Sequence, residues 1–144
     1  MRSSLHPAPC RGATTRGIGH AATTPLHPYI PTKDVTRARH FYETRLGFTP
    51  SELRENGASY RCGASTECFL YETAHAGTSQ ASQALFVVLD IDHEVAELQS
   101  GGMPLEHVDI PGAQIDDDIV TAGGARAAWF KDSEGNIVAV VQPL

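Results

Sequence analysis

The stretch that decides the fold is residues 125–142, which read ARAAWFKDSEGNIVAVVQ. Two runs rich in β-forming residues flank residues 131–136, where the Asp132 side chain can cap a tight turn and Gly135 can take the positive φ that closes it. The second run, residues 137–142, alternates with a period of two, and both of the faces that this creates are apolar. We therefore predict a β-hairpin whose return strand is central in a sheet and covered on both sides.

Length and composition set the class of protein to which the hairpin belongs. With 144 residues, 41% hydrophobic and 19% charged, the chain fits one ordinary globular domain that can bury a sizeable core. The longest strictly apolar run, residues 84–89, is far shorter than the roughly 20 residues of a membrane-spanning helix. Residues 1–32 hold three arginines and no acid, so the remaining 8 basic and 17 acidic residues give that part a net charge of −9. We therefore expect neither a membrane nor a nucleic acid as partner.

The three cysteines, Cys10, Cys62 and Cys68, are odd in number and form no Cys-x-x-Cys pair. Their spacing indicates neither a disulfide framework nor a structural zinc site, so we expect a reducing, cytoplasmic compartment. Residues 1–26 are rich in Ala, Thr, Gly, Pro and Arg and lack both hydrophobic periodicity and the apolar core of a secretory signal. We interpret them as a flexible N-terminal arm before a domain over residues 27–144, with an organelle transit peptide as the alternative.

The first half of the domain has the pattern of a βαβββ unit. Asp34 is a suitable helix N-cap, apolar residues follow it at helical spacing, and Gly47 is a suitable C-terminal stop. Short β-rich runs lie before and after this helix. The predicted elements are a strand over 26–32, a helix over 34–46 and strands over 48–54, 58–62 and 67–73. A polar stretch over residues 75–82 has the composition of a linker.

The second half repeats this pattern. A strand over 84–89 precedes a helix near 92–100, which Asp90 or Asp92 caps and a glycine pair ends. The predicted elements after it are a strand over 105–109, a loop over 110–118, an uncertain turn over 119–126 and the hairpin. Setting Asp34 against Asp90 aligns the two halves with an offset of 56 residues. We therefore predict an α+β fold of two βαβββ modules, about residues 27–74 and 83–142, whose sheets enclose a cleft.

Two of these segments resemble the signatures of one protein superfamily. Residues 34–48, DVTRARHFYETRLGF, resemble the D-x-x-x-(A/S)-x-x-F-Y-x-x-x-L-G-F signature of the vicinal oxygen chelate superfamily, which contains glyoxalases, bleomycin-resistance proteins and extradiol dioxygenases. Residues 129–136 resemble its F-x-D-P-(D/E)-G-N hairpin, with Ser133 where proline is usual. The resemblance extends over about residues 27–142 and implies the glyoxalase/bleomycin-resistance fold. It also implies a homodimer, since members of this superfamily often complete their clefts between two chains.

The resemblance further implies where a metal would bind. Enzymes of this superfamily place His, Gln or Glu on the first strand of each module and Glu on the last strand of each, so that four ligands reach one divalent ion. Aligned with this pattern, the four positions fall on His27, Phe69, Gln83 and Ala139, with Ala84 as the third if the register slips by one. Only His27 is a good donor, and Gln83 is a poor one. We therefore expect no cofactor and disfavour a catalytic divalent metal.

The rest of the implied cleft is apolar and aromatic, which suits a hydrophobic or planar small molecule held by a few hydrogen bonds. The candidate ligand-binding residues are His27, Tyr29, Tyr60, Glu67, Phe69, Gln83, Leu85, Trp129 and Ala139. We therefore expect a metal-free binding protein similar to the bleomycin-resistance branch, with no catalytic residue assigned. Two alternatives stay open: these side chains simply fill a core, or the chain is an enzyme. The enzyme would be a metal-dependent, glyoxalase-like lyase or dioxygenase, or a metal-free isomerase with Glu67 or His27 as base.

Overall fold

The structure is a computed structural model and describes residues 24–144. The predicted flexible arm over residues 1–26 lies outside the described residues except for its last three, which belong to no helix or strand. Within residues 24–144, no helix is long and apolar enough to cross a membrane.

The first module follows the predicted βαβββ order. Asp34 caps its helix as predicted, because its side chain accepts a hydrogen bond from the Arg37 amide at 3.0 Å. The helix changes from α to π geometry at Phe41 and ends before Gly47, which has a φ of 76°. The elements are β1 (Tyr29–Thr32), α1 (Val35–His40), a π-helical segment (Phe41–Arg45), β2 (Pro50–Arg54), β3 (Gly57–Cys62) and β4 (Thr66–Glu72).

The second module repeats this order and adds two short strands. Its elements are β5 (Ser82–Val87), α2 (Ile91–Ser100), β6 (Leu105–Glu106), β7 (Gln114–Asp116), β8 (Ile119–Ala122), β9 (Ala125–Lys131) and β10 (Ile137–Pro143). The predicted strand over 105–109 is only two residues long, and the strand that corresponds to β2 is β8. Asp117 and Asp118 join β7 to β8 with φ values of 47° and 64°. Aspartate tolerates this left-handed backbone, so the acidic run forms a tight turn that the sequence analysis took as part of a loop.

Each module forms its own sheet, and the two sheets have corresponding strand orders. The first sheet has the order β1-β4-β3-β2, and the second has the order β5-β10-β9-β8-β7 with β6 beside β9. Strand β10 is parallel to β5 and antiparallel to β9, and its residues Val138, Ala139 and Val140 are buried. The hairpin and its central, covered return strand are therefore confirmed. The chain has the predicted α+β fold with two modules.

The two modules share apolar packing. One buried cluster lies between α1 and the first sheet, and a second lies between α2 and the second sheet. Phe41 and Leu46 pack against both clusters, and the rings of Phe48 and Phe86 lie 5.8 Å apart. Strands β1 and β5, the outermost strands of their sheets, contact each other. The modules therefore meet both through the aromatic end of the first helix and at the edges of their sheets.

The turn between β9 and β10 closes in the predicted way. The Asp132 carboxylate accepts hydrogen bonds from the amides of Glu134 and Asn136, both at 2.9 Å, and Gly135 has a φ of 83°. The other Asp132 oxygen accepts a 2.7 Å hydrogen bond from the hydroxyl of Tyr42 in the first module. Burial of Tyr42, followed by the nearby Asp132 charge, raises the pKa of that hydroxyl, so it stays protonated and donates.

Glu134, in the same turn, binds the end of β1 and the start of α1. Its buried carboxylate accepts hydrogen bonds from the Thr32 hydroxyl at 2.9 Å and from the amides of Lys33 and Asp34 at 2.8 Å. The Arg37 guanidinium adds an ion pair at 2.7 Å. Burial alone would raise the pKa of Glu134, but these donors outweigh burial and lower the pKa from 4.5 to about 2. The carboxylate is therefore ionised and fixes the hairpin of the second module to the first.

Asn136 completes the contact between the turn and the rest of the chain. Its side-chain amide donates to the Pro31 carbonyl at 2.8 Å and accepts from the Gly77 amide at 3.1 Å. Gly77 has a φ of 72°, and a Cβ atom there would collide with the Glu134 carbonyl oxygen. The linker between the modules can therefore approach the turn this closely only with glycine at position 77.

We predict that Gly77→Ala destabilises the protein much more than Gly112→Ala. Both glycines have a positive φ, 72° and 78°, so both substitutions carry a similar backbone strain of about 1 kcal/mol. Nothing lies within 4 Å of a Cβ at Gly112, whereas a Cβ at Gly77 meets the backbone of the turn. Overlap with backbone should cost about 1–3 kcal/mol more. Urea unfolding of both variants measures the difference, and equal losses would show that the linker does not press on the turn.

Candidate functional site

The strand register assigns the candidate residues of the first module to one face of its sheet. Ile30 pairs with Leu70, and both are buried in the core under α1. Tyr29 pairs with Phe69, so these two residues lie on the opposite face, because successive side chains of a strand alternate. Glu67, two residues before Phe69, lies on that same face. We call this surface, made by Tyr29, Glu67 and Phe69, the first site face.

His27 lies beside this face, two residues before β1 begins. Its Nδ1 atom accepts a 3.0 Å hydrogen bond from the Glu67 amide and lies 2.9 Å from the Glu67 carbonyl oxygen. The imidazole also meets the Phe69 ring edge-on, with centroids 5.6 Å apart. The main chain of β4 therefore fixes the imidazole through Nδ1 and leaves Nε2 as the nitrogen for a ligand. His27 and Phe69, two of the candidate ligand-binding residues, are therefore neighbours in the structure.

Tyr71 extends the first site face. The rings of Tyr29 and Tyr71 are stacked with centroids 3.8 Å apart, and Tyr29 is 63% exposed. These rings and Phe69 line a shallow groove of about 180 Å³ whose polar side chains include Arg54 and Glu72. The sequence analysis missed Tyr71, although its position two residues after Phe69 on one strand placed it on this face.

The candidate residues of the second module form a matching surface. Ala139 pairs with Leu85 on one side and with Trp129 on the other, so the three share one face of the second sheet. We call them the second site face. Leu85 is 58% exposed and Val87, two residues along the same strand, is 69% exposed, whereas Ala139 is only 4% exposed. This face is therefore an open apolar surface around a covered methyl group.

The position of Gln83 in the second module corresponds to the position of His27 in the first. It lies two residues before Leu85, the partner of Ala139, just as His27 lies two residues before Tyr29, the partner of Phe69. Its side-chain amide nitrogen donates to the Ala81 carbonyl oxygen at 3.3 Å. The strand register therefore places His27 and Gln83, and likewise Phe69 and Ala139, at corresponding points of the two modules.

Tyr60 does not belong to either site face. It pairs with Cys68 on the core side of the first sheet and is fully buried. The Tyr60 hydroxyl donates a 2.9 Å hydrogen bond to the Glu43 carboxylate. Burial and, after it, the nearby Glu43 carboxylate raise the pKa of the Tyr60 hydroxyl. The sequence analysis included Tyr60 as a polar point of the cleft, but the register of β3 turns it toward α1 instead.

The donor set at the four family positions does not fit a divalent metal. It comprises one imidazole, one amide, one phenyl ring and one methyl group, with no carboxylate to balance a dication. Glu67 is on the first site face, but its carboxylate lies 4.0 Å from the Arg61 guanidinium. Among residues 24–144, no three His, Cys, Asp or Glu side chains come together in an arrangement that could hold a metal ion.

A cavity of about 330 Å³ lies where the two modules meet. The first module contributes the side chains of Pro28, Ile30, Cys62 and Cys68, and the second contributes β5 from Ala84 to Val87. Leu85 borders both this cavity and the second site face. The structure thus has a site face on each of the two sheets and an apolar cavity between the modules.

Comparison with known proteins identifies the fold. Residues 24–58 match the family model described as bleomycin resistance protein-like N-terminal, and no curated protein matches the chain by sequence. A bleomycin-binding protein solved with bleomycin is 18% identical, with a TM-score of 0.64 over 85% of this chain and 100% of that one. An antibiotic-binding protein from a Streptomyces species is 21% identical, with a TM-score of 0.61 over 85% and 98%. Lactoylglutathione lyase from Agrobacterium tumefaciens is 16% identical, with a TM-score of 0.60 over 83% and 93%.

We predict that Ala139→Glu destabilises the protein and Ala122→Glu does not. Both alanines lie in strands, but Ala139 is buried and Ala122 is exposed. A carboxylate at position 139 has no cationic or metal partner, so it should cost a few kcal/mol, about 2–4, and protonate with a raised pKa. At position 122 the change should stay within about 0.5 kcal/mol. Chemical unfolding at neutral pH measures both, and equal effects would mean that burial at position 139 is not the cause.

The double variant Phe69→Glu with Ala139→Glu extends this test to metal binding. We expect Ni²⁺ to raise its thermal midpoint relative to EDTA, because binding to the folded state adds stability by linkage. The wild type should gain nothing from Ni²⁺. If the double variant also gains nothing, positions 69 and 139 do not converge on one ion.

Proposed function

Because the chain has the fold of the vicinal oxygen chelate superfamily, shared by bleomycin-binding proteins and glyoxalases, we propose that it binds a small, partly hydrophobic molecule without a catalytic metal. The observation that carries this proposal is the replacement of metal donors by apolar side chains at equivalent points of the two modules. Phe69 stands next to His27, and Ala139 stands between Leu85 and Trp129. The fold is thus combined with surfaces suited to apolar contact.

The chemistry of the two site faces supports a planar or hydrophobic ligand. Aromatic rings give large contact areas at little cost in side-chain entropy, and Tyr29, Phe69 and Trp129 supply three of them. The Nε2 atom of His27 and the side-chain amide of Gln83 add hydrogen-bonding groups that can orient a ligand. A mainly apolar surface with a few polar groups is the usual composition of a small-molecule site.

We further propose that the protein is a cytoplasmic homodimer. Val87 is 69% exposed in one chain, and a second copy that covers this part of β5 would remove a costly apolar surface from water. The free thiols of Cys62 and Cys68 suit a reducing compartment. The acidic charge of the described part, which holds all 17 acids of the chain, argues against a nucleic-acid partner.

The proposed function is tested by metal content and by ligand titration of one unchelated preparation. Trp129 is the single tryptophan of the chain and lies on the second site face, so its fluorescence reports binding there. We expect far less than one metal ion per chain by elemental analysis. We also expect the naphthalene dye ANS and then bleomycin, used as planar and antibiotic probes, to change the Trp129 emission.

Two matched variants make the titration specific. Leu85→Ala should weaken probe binding because it removes apolar surface next to Ala139, whereas Leu53→Ala, at a 52% exposed position on the edge strand β2, should not. A stoichiometric divalent ion that EDTA removes would contradict the metal-free proposal and favour the metalloenzyme. Probe affinities that are unchanged in both variants would contradict binding at the second site face.

Sedimentation velocity tests the dimer. We predict a dimer for the wild type at micromolar concentration and for Leu53→Glu, and a monomer for Val87→Glu. Val87 lies on the same face as Leu85, so a charge there would be buried unpaired in the proposed interface. A wild type that stays monomeric at high micromolar concentration, or dissociation by Leu53→Glu alone, would contradict the proposed interface.

A further inference from the structure

Two free thiols meet at the cavity between the modules. Cys62 ends β3, and Cys68 lies in β4, where its direct cross-strand partner is Tyr60. Their sulfur atoms are 3.4 Å apart, and both side chains line the cavity of about 330 Å³. Cys68 is buried and Cys62 is half-buried. The pair therefore presents two sulfur atoms, one of them accessible, to an apolar space.

The strand register of the two cysteines does not suit a disulfide. An S–S bond is about 2.05 Å long and needs Cα atoms no more than roughly 7 Å apart. Cys62 and Cys68 are diagonal rather than direct partners, and diagonal Cα atoms in antiparallel strands lie about 7–8 Å apart. In this register, a disulfide between the two residues would thus require their Cα atoms to move closer together.

The 3.4 Å distance between the two sulfurs allows a single atom to form bonds to both of them. With sulfur bonds of about 2.3 Å, sulfurs 3.4 Å apart subtend an angle of about 95° at the shared atom. This angle is narrower than that of a tetrahedral zinc ion and much narrower than that of a linear two-coordinate ion. It matches a pyramidal centre with three substituents, two of which are thiolates.

The residues around the two thiols also favour a central atom whose third substituent comes from the ligand and not from the protein. Structural zinc needs four protein ligands, and among residues 24–144 no third His, Cys, Asp or Glu side chain joins this pair. A trivalent centre with one organic group and two thiolate bonds is neutral, so it requires no charged partner in an apolar cavity. The cavity walls at Ile30 and Phe86 are apolar and can accept the organic group.

We propose that Cys62 and Cys68 form a dithiol site that captures trivalent arsenicals with one organic substituent. Each As–S bond replaces a bond from arsenic to oxygen, and the two thiol protons leave with that oxygen as one water molecule. Nothing is oxidised or reduced. The first bond forms at the half-buried Cys62, and Cys68 then closes the ring within the protein.

The order of the two steps follows from burial. Burial raises the pKa of the Cys68 thiol, and the neighbouring Cys62 raises it further, so Cys68 is the poorer nucleophile. Once arsenic is attached to Cys62, however, Cys68 reacts at the high effective concentration of a neighbouring group. The site lies on the core side of β4, so it is separate from the proposed ligand surface on the first site face.

Phenylarsine oxide is the probe for this site, with the full chain in a Cys10→Ser background so that only the two cavity thiols remain. We expect one phenylarsine group per chain by intact mass and no remaining free thiol after denaturation. A dithiol such as 2,3-dimercaptopropanol should release the group, whereas 2-mercaptoethanol at equal thiol concentration should not. Cys62→Ala and Cys68→Ala should each weaken binding about 100-fold or more, because the second bond is lost.

Thermal unfolding separates binding to the folded site from reaction with the unfolded chain, and it shows that each variant folds. Phenylarsine oxide should raise the thermal midpoint, because a ligand that prefers the folded state stabilises it. Inorganic arsenite, which lacks the organic group, should raise it less. An unchanged or lower midpoint, an adduct that leaves one thiol free, or undiminished binding by a folded Cys62→Ala variant would each overturn the proposal.

Discussion

The buried carboxylate of Glu134 is the interaction on which the rest of this structure depends. It sits in the turn of the hairpin of the second module and accepts hydrogen bonds from the main chain that connects β1 to α1 in the first. The Arg37 guanidinium and the hydroxyls of Thr32 and Ser133 also donate hydrogen bonds to it. A buried carboxylate is costly unless donors surround it, so the hairpin has one low-energy position against the first module.

That position determines where the two site faces lie. Strand β10 begins directly after the turn, and its first residue, Ile137, pairs with Ser82 at the start of β5. Asn136 holds the same turn to Pro31 near the end of β1. The edges of the two sheets are therefore brought together by the polar contacts of one turn. The aromatic contacts of Phe41 and Phe48 then fill the space between the helices and sheets.

In this fold, the side chains at the positions that could ligate a metal are different from the side chains that hold the two modules together. The residues of the turn make the hydrogen bonds that join the two modules. The positions that could ligate a metal hold Phe69 and Ala139 instead of carboxylates. Phe69 lies on the first site face and Ala139 on the second, so neither position takes part in the hydrogen bonds of the turn. This separation is why we propose a binding protein and not a metalloenzyme.

Much of the fold could be predicted from the sequence because local signals and periodicity determine it. The Asp132 cap, the positive φ of Gly135, the N-caps and the duplication gave the hairpin, the helices and the two modules. Local sequence signals gave a wrong prediction where tertiary packing determines which way a side chain points. Tyr60 was assigned to the cleft, but the register of β3 turns it into the core.

The candidate site was predicted only in part for the same reason. The resemblance proposed His27, Phe69 and Ala139 as site positions, because the family pattern aligns with the predicted strands. The sequence could not show that Cys62 and Cys68 meet, because their contact depends on the diagonal register of β3 and β4. Nor could it show that Leu85 and Val87 are open to solvent, which depends on how the modules pack.

The pH dependence of the unfolding free energy of wild type and Glu134→Gln tests the central role of Glu134 most directly. The folded-state pKa of Glu134 is lowered from 4.5 to about 2, so its stabilisation is fully present above pH 4.5 and is lost as the pH falls toward 2. We predict that the wild type is more stable at neutral pH and that the two curves converge near pH 2, while the exposed control Glu52→Gln follows the wild type throughout. Parallel curves for wild type and Glu134→Gln would contradict this account, because they would show that the ionised carboxylate does not hold the modules together.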